Sequence, residues 1–257
     1  MIKYFNLKTE RGYDIPVKQA GVEVDIKNVV VGVHGFTGNK EGDNISLLSA
    51  KLEKEGNNIV IAGDFPMHGT SNAKKGALTV KNCLADLGDI VEHAKTEYPN
   101  ANFFIFAGSF GSYISSLYLS QHDEYFKAVI LTAPAINMKR VLYDKIFPSK
   151  NLTVKEFIRD GMYAHDRTIY IDSNFIKELE KMDVFKIFKN QYKTPVFIYQ
   201  GTADDLIISD EISSFVNQNK GNMRLELIEG APHSMKGDFA EYIVDQSINI
   251  IKSFNKK

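Results

Sequence analysis

The feature that most constrains the fold is a series of short, strongly apolar runs that recur along the chain. Several have β-branched residues at consecutive positions, which is typical of strands covered on both faces in a parallel sheet. Helical patterns separate many of these runs, and repeated strand–helix units imply right-handed crossovers and a doubly wound sheet. The predicted strands cover residues 29–33, 59–62, 103–107, 128–131, 196–199 and 225–228. The predicted helices cover residues 45–55, 78–98, 112–121, 210–219 and 238–254.

One interval interrupts this α/β rhythm. Residues 135–193 contain 59 positions without a clear core strand, and nine of them are aromatic. A structureless loop of that length is anomalous inside a compact domain, so we expect an inserted cap subdomain there. The flanking residues 1–134 and 194–257 are then expected to form one α/β core domain, which suits a chain of 257 residues.

Composition excludes several classes of protein. The 31 basic and 32 acidic residues are scattered and give a net charge of −1, so no concentrated positive field is available for nucleic acid. Cys83 is the only cysteine, which excludes an intrachain disulfide and a thiolate metal cluster. The N-terminus lacks the pattern of a secretory signal, and the apolar runs are too short to cross a bilayer. We therefore expect a cytoplasmic protein.

The segment NFFIFAGSFG at residues 102–111 places an apolar strand directly before a turn of small residues and a helix. A serine at such a turn projects its hydroxyl out of the sheet, and the helix N-terminus beside it favours developing negative charge. Ser109 is therefore the candidate nucleophile, in a G-x-S-x-G pattern with Ala107 at its first position. The competing interpretation is that Ser109 only caps the helix.

An acid and a base follow the last two predicted strands. Asp204 and Asp205 lie in a turn after one strand, and His233 lies in a loop after the next. The carboxyl ends of parallel strands meet at the edge where open sheets have their sites, and the order Ser, Asp, His is the one used by hydrolases of this architecture. We expect His233 to bridge the hydroxyl of Ser109 and the carboxylate of Asp204. Asp205 is the alternative acid.

A glycine-containing loop follows the first core strand, with the sequence HGFTG at residues 34–38. Glycine allows the backbone to turn tightly so that an amide points into the site. The main-chain amides of Phe36 and Phe110 are the candidate donors of an oxyanion hole. For His34 we favour a buried side chain that braces the loop over a direct chemical role.

Five motifs together resemble those of the α/β-hydrolase superfamily, over essentially the whole chain. They are HGFTG at 34–38, DFPMHGTS at 64–71, AGSFG at 107–111, GTADD at 201–205 and GAPH at 230–233. More narrowly, the chain resembles small bacterial carboxylesterases of the cinnamoyl or feruloyl esterase type. It is also similar to the wider group of serine aminopeptidase-like hydrolases and monoacylglycerol lipases.

The resemblance implies hydrolysis of a small-molecule carboxylic ester through an acyl-serine intermediate, with the acyl group beneath the cap. The aromatic rings of residues 135–193 fit an aryl-lined pocket or, as the simpler interpretation, the cap's own core. The candidate pocket residues are His34, Gly35, Tyr163, His165 and Tyr170. We expect no cofactor, and no metal because the six histidines lack H-x-H and H-E-x-x-H spacing.

Other activities share this arrangement of residues. A thioesterase, a monoacylglycerol lipase or a peptidase acting on small substrates would use the same triad, since the pocket decides the substrate. A non-catalytic ligand-binding protein on a hydrolase scaffold is the alternative from a different class. We expect neither nucleic acid nor a membrane as partner, and the sequence leaves a homodimer open.

Overall fold

A computed structural model describes residues 1–164, 167–188, 193–219 and 222–255. Its strands are β1 (Ile2–Leu7), β2 (Ile15–Gly21), β3 (Asn28–Val33), β4 (Asn58–Gly63), β5 (Asn102–Gly108), β6 (Ala128–Thr132), β7 (Met162–Ala164), β8 (Arg167–Ile169), β9 (Val196–Gly201) and β10 (Met223–Ile228). Its α-helices are α1 (Asp43–Glu55), α2 (Val80–Glu97), α3 (Phe110–Leu119), α4 (Met138–Arg140), α5 (Phe147–Ser149), α6 (Val154–Asp160), α7 (Ser173–Lys181), α8 (Val184–Ile187), α9 (Ser209–Gln218) and α10 (Asp238–Ser253).

Eight strands form one sheet in the order β1-β2-β4-β3-β5-β6-β9-β10. The first two are antiparallel to each other, and β2 is antiparallel to β4, whereas all later neighbours are parallel. The prediction of a mostly parallel, doubly wound sheet is confirmed. Its register aligns Val33 with Ala107 and Gly108 with Thr132, so the loops after β3, β5 and β6 leave the sheet side by side.

Helices cover both faces of this sheet. On one face, α2 and α3 contribute buried side chains such as Leu87 and Leu117 to the larger apolar cluster. On the other face, α1 and α10 contribute Leu48, Leu52 and Ile248 to a second cluster. The strands between them are buried on both sides, which explains their continuous apolar runs.

The chain between β6 and β9 contains helices α4 to α8, a π-helical stretch at Val141–Ile146 and the short antiparallel pair β7 and β8. In its described residues this segment adds no strand to the main sheet. The rings of Phe147, Phe157, Phe175 and Phe188 are buried in the same apolar cluster as α2 and α3. They therefore form a core with the main domain, and the boundaries of a cap at residues 135 and 193 stay a prediction.

Across the described ranges, none of the helices is both long enough and apolar enough to pass through a membrane.

Candidate active site

The turn at Ser109 consists of a single residue between β5 and α3. Ser109 has φ of 51° and ψ of −116°, a conformation that typically costs a non-glycine residue about 1–3 kcal/mol. Its amide donates to the Thr132 carbonyl at 2.9 Å, which holds the turn against the end of β6. Gly111 is required because a Cβ there would lie 2.3 Å from the carbonyl oxygen of Val33. Helix α3 begins at 110, two residues before the predicted start, because the serine alone makes the turn.

His233 lies between the other two candidate residues. Its Nε2 atom is 3.0 Å from Oγ of Ser109, and its Nδ1 atom is 2.9 Å from Oδ2 of Asp204. The carboxylate is buried, whereas the imidazole is 20% exposed. The structure thus brings together three residues that lie 124 and 29 positions apart along the chain.

The carboxylate of Asp204 accepts several further hydrogen bonds. Its Oδ1 atom accepts from the amides of Leu206 and Ile207 at 2.9 and 2.8 Å, and Oδ2 accepts from Nε2 of Gln200 at 3.2 Å. Burial by itself would raise the pKa of Asp204, but the hydrogen bonds from His233 and the two amides outweigh it and hold the pKa below its ordinary value. The carboxylate is therefore ionised at neutral pH.

Gln200 is a site residue that sequence reasoning missed. It is fully buried on β9, and its side-chain amide also donates to the carbonyls of Gly201 and Ile207. These bonds fix the turn that presents Asp204. The available signal was a polar residue inside an otherwise apolar strand, four positions before the candidate acid. Asp205, the alternative acid, is exposed.

The loop after β3 approaches the nucleophile closely. A Cβ added to Gly35 would lie 3.2 Å from Cβ of Ser109, so only glycine fits without displacing the serine. The Gly38 amide closes a turn by donating to the Gly35 carbonyl at 3.0 Å. Among the described residues, the amides of Phe36 and Phe110 have no hydrogen-bond acceptor. Both are available as donors beside Ser109.

Two buried histidines support this loop. Nδ1 of His34 is 2.8 Å from the Gly35 carbonyl, and its Nε2 accepts from the Phe65 amide at 3.0 Å. In His68, Nδ1 is 2.9 Å from the Pro66 carbonyl, and Nε2 accepts from the Thr37 amide at 3.2 Å. Burial lowers the pKa of His34, and burial lowers that of His68 to about 3. Both rings are therefore neutral, with Nδ1–H donating and Nε2 accepting.

A buried ion pair fastens the end of the same loop. Nζ of Lys40 lies 2.7 Å from Oδ2 of Asp64, and Oδ1 accepts from the Lys40 amide at 2.8 Å. The amide of Thr70 also donates to the carboxylate at 2.8 Å. Burial alone would raise the pKa of Asp64, but the bonds from Lys40 and Thr70 hold it below its ordinary value. Sequence reasoning missed this pair because its members are 24 residues apart and lie in different loops.

A family model described as serine aminopeptidase, S33, matches residues 24–162, more than half of the chain. The chain belongs to the serine aminopeptidase S33 family. The matched region includes the HGFTG loop and Ser109, whereas Asp204 and His233 lie beyond it.

Solved structures resemble this S33 member over almost its whole length. Est1E from Butyrivibrio proteoclasticus superposes with a TM-score of 0.76 at 20% identity, covering 97% of this chain and 99% of that chain. Est1E with bound ferulic acid gives 0.79 at 20% identity, with 96% and 99% covered. An esterase from Pyrococcus furiosus gives 0.74 at 21% identity, with 98% and 90% covered. At these identities the likeness shows the fold, which is that of the α/β-hydrolases.

A curated relative of this S33 member is a monoglyceride lipase homolog of Monkeypox virus. It is 24% identical over 204 residues, which cover 69% of this chain and 72% of the viral protein.

A cleft of about 430 Å³ opens beside Ser109 and His233, and Gly35 is among its lining residues. Tyr163 and Tyr170 are not among them: Tyr163 is 69% exposed on β7, and Nζ of Lys75 lies 4.7 Å above the ring of Tyr170. His34, another candidate pocket residue, is not among the lining residues of this cleft either, and His165 lies outside the described residues. Within the described ranges, acidic, histidine and cysteine side chains form no cluster of three or more that could hold a metal ion.

Proposed function

We propose that this S33 family member is a serine hydrolase that cleaves carboxylic esters through an acyl-serine intermediate. Ser109 acts as the nucleophile, His233 as the general base and Asp204 as the residue that orients the base. The observation that carries the proposal is the pair of contacts made by His233, 3.0 Å to the hydroxyl and 2.9 Å to the carboxylate. An ordinary surface histidine, or a serine that only caps a helix, would not require both of these contacts.

The geometry supports each step of acyl transfer. Asp204 accepts from Nδ1–H, which leaves Nε2 free to take the proton of Ser109 as Oγ bonds to the acyl carbon. The amides of Phe36 and Phe110 donate to the oxyanion that forms. His233 then protonates the departing alcohol as the carbon–oxygen bond breaks. A water molecule then attacks the acyl carbon while His233 takes its proton. The bond between the acyl carbon and Oγ breaks, His233 returns the proton to Oγ of Ser109, and the acid leaves.

The kind of substrate is inferred from the names of the relatives. The Pyrococcus furiosus protein is named an esterase, and Est1E was solved with bound ferulic acid. The viral relative is named a monoglyceride lipase homolog. We therefore propose a carboxylesterase of the cinnamoyl or feruloyl esterase type that acts on a small-molecule ester. Thioester and amide substrates undergo the same acyl transfer, so they belong in the same test.

The test compares Ser109→Ala with wild type in two assays. We expect a fluorophosphonate to label only wild type, and p-nitrophenyl or hydroxycinnamate methyl esters to lose about 10⁶-fold in kcat in the variant. Ser115→Ala is the matched control: its hydroxyl is buried on the same helix and has no partner among the described residues. Unchanged turnover in Ser109→Ala, or absence of labelling and turnover in wild type, would contradict the proposal.

A further inference from the structure

The segment between β6 and β9 packs directly on Phe36, whose amide is a donor of the oxyanion hole in the proposed function. The ring of Phe36 lies against those of Phe157 and Phe175, with centroids 6.4 and 6.2 Å away. Both of these rings are fully buried, and they belong to α6 and α7 of that segment. The two contacts hold the side chain of Phe36, whereas the direction of its amide is set by the backbone on either side.

The backbone next to Phe36 is held by residues 64–71, which we call the β4 loop because they follow β4. Nε2 of His68 in this loop accepts from the amide of Thr37 at 3.2 Å. The carbonyl of His68 accepts from the amide of Ser71 at 2.9 Å, which closes a turn within the loop. The position of the His68 ring, and with it that of the Thr37 amide, therefore depends on the shape of the β4 loop.

Arg167 holds the β4 loop from outside. It lies on β8, in the segment between β6 and β9, and its Nη1 atom donates to the carbonyls of His68 and Ser71 at 3.1 and 3.3 Å. Hydrogen bonds from a charged donor are stronger than those from a neutral one. The loop depends on such support because Met67 has φ of 68°, a conformation that a non-glycine residue keeps only where its surroundings fix it.

The contacts of Arg167 favour this role over that of a general anchor. Among the described residues, the hydrogen bonds of its guanidinium end on the β4 loop, and its buried Nε atom has no acceptor. An arginine that only fastened the segment to the main domain would gain more from a carboxylate. Arg140 of the same segment does this, with Nη2 lying 2.7 Å from Oε2 of Glu211.

We propose, on the basis of the proposed function, that Arg167 is a positioning residue for the oxyanion hole. Its guanidinium fixes the backbone of His68, and the His68 ring fixes the amide of Thr37. The amide of Phe36 is thereby directed at the oxyanion. Arg167 is not among the residues that line the cleft beside Ser109, so it acts on the reaction without touching the reacting atoms.

The first test compares Arg167→Met with wild type in ester hydrolysis. Methionine keeps an unbranched apolar stem and removes the donors, so kcat should fall about tenfold while KM changes less than twofold. Active protein is counted by fluorophosphonate labelling run to completion, so that unfolded protein does not enter kcat. Arg167→Lys retains a charged donor and should come within about threefold of wild type. Arg159→Met, which removes an exposed arginine from α6, is the matched control and should equal wild type.

A trifluoromethyl ketone reports on the oxyanion hole itself. Oγ of Ser109 adds to its carbonyl carbon, the proton passes from Oγ to His233, and the carbonyl oxygen becomes an anion that accepts from the two amides. The inhibition constant should rise about tenfold in Arg167→Met, because it depends on the amide of Phe36 as kcat does. An unchanged inhibition constant would overturn the proposal.

A double-mutant cycle tests whether Arg167 acts through His68. If it does, adding Arg167→Met to His68→Leu should lower kcat less than about twofold further, because the ring that holds Thr37 is already absent. A further tenfold loss in the double variant would mean that Arg167 acts by another route, and the proposal would be wrong.

Failure of this inference is distinguishable from failure of the proposed function. If wild type is active and labelled at Ser109 but Arg167→Met has the kcat of wild type, or changes only KM, the role of Arg167 alone is overturned. If wild type is neither labelled nor active on any ester, the proposed function fails, and the role of Arg167 fails with it.

Discussion

The loop of His233 and the loop of His68 use the same side chain in opposite ways. In both, each ring nitrogen has one partner and Nδ1 faces a carbonyl or carboxylate oxygen. His233 contacts two side chains, Asp204 and Ser109, and is partly exposed to the cleft. His68 contacts two backbone groups and is fully buried. The partners decide which histidine can move a proton and which can only hold a loop in place.

The two loops are therefore two different kinds of polar site. A hydroxyl and a carboxylate at the two ends of a ring permit proton transfer at one end and charge stabilisation at the other. Two backbone partners permit neither, because the amide of Thr37 is far too weak an acid to give up its proton. They do fix the position of the preceding residue of the loop, Phe36, whose amide is proposed to bind the oxyanion.

The largest expected effect is that of His233→Gln. Glutamine cannot accept the proton of Ser109, so we expect kcat for a p-nitrophenyl ester to fall about 10⁶-fold. Because the ring lies at the edge of the cleft, the free energy of unfolding in urea should change by less than about 1 kcal/mol. A loss of activity explained by unfolding, or a loss below tenfold, would remove the distinction between the two loops.

The next effect concerns the residue that orients His233. Asp204→Asn replaces an acceptor by a group that can donate, which favours the wrong tautomer and should reduce kcat about 10⁴-fold. Asp205→Asn is the matched control on the adjacent, exposed residue, and its kcat should stay within about twofold of wild type. A large loss only in Asp205→Asn would reverse the assignment of the acid.

The fold was predictable because each strand and helix has its own hydrophobic pattern in the local sequence. Each β-branched run is buried on both faces, and the helices between the strands show their own periodicity. The spatial meeting of Ser109, Asp204 and His233 was also expected, because each follows a parallel strand and those strands end at one edge. The boundaries were less accurate: α2 begins at Val80 and not at 78, because Thr79 caps it by accepting from the Asn82 amide at 3.0 Å.

Contacts between loops could not be predicted. Nothing near His68 in the sequence indicates that its ring accepts a bond from Thr37, 31 residues earlier. The same holds for Arg167, whose guanidinium donates to the carbonyls of His68 and Ser71 across almost 100 residues. These contacts depend on how two loops pack, which is a property of the assembled sheet edge.

A smaller effect is expected from the supporting histidine. His68→Leu removes the acceptor for the Thr37 amide, so the amide of Phe36 loses its fixed position. Displacements near 1 Å can cost about 10²-fold in rate, and we expect a loss of 10- to 100-fold in kcat with a smaller change in KM. His68→Gln retains an acceptor oxygen and should recover part of kcat. Equal activity of the two variants would show that the ring only fills space.

The smallest effect concerns the stability of the fold in acid. Burial lowers the pKa of His68 from 6.5 to about 3, so between these values the unfolded chain binds a proton that the folded chain does not. Stability is then complete above about pH 6.5 and is lost as the pH falls, by about 1.4 kcal/mol per unit for this residue. Between pH 7 and 5 His68→Gln should lose about 2 kcal/mol less than wild type in urea unfolding.

Wild type and His68→Gln share all other titratable groups. The difference between their losses of unfolding free energy from pH 7 to pH 5 therefore isolates the contribution of His68. Asp86 is one of these shared groups, since burial raises its pKa to about 7 and its ionisation opposes folding as the pH rises. Neither His68 nor its replacement by glutamine changes the charge of the Asp204–His233 pair. The acid limb of kcat/KM should therefore lie at the same pH in wild type and His68→Gln. A shifted limb would mean that His68 is coupled to the Asp204–His233 pair, and the contrast between the two loops would no longer hold.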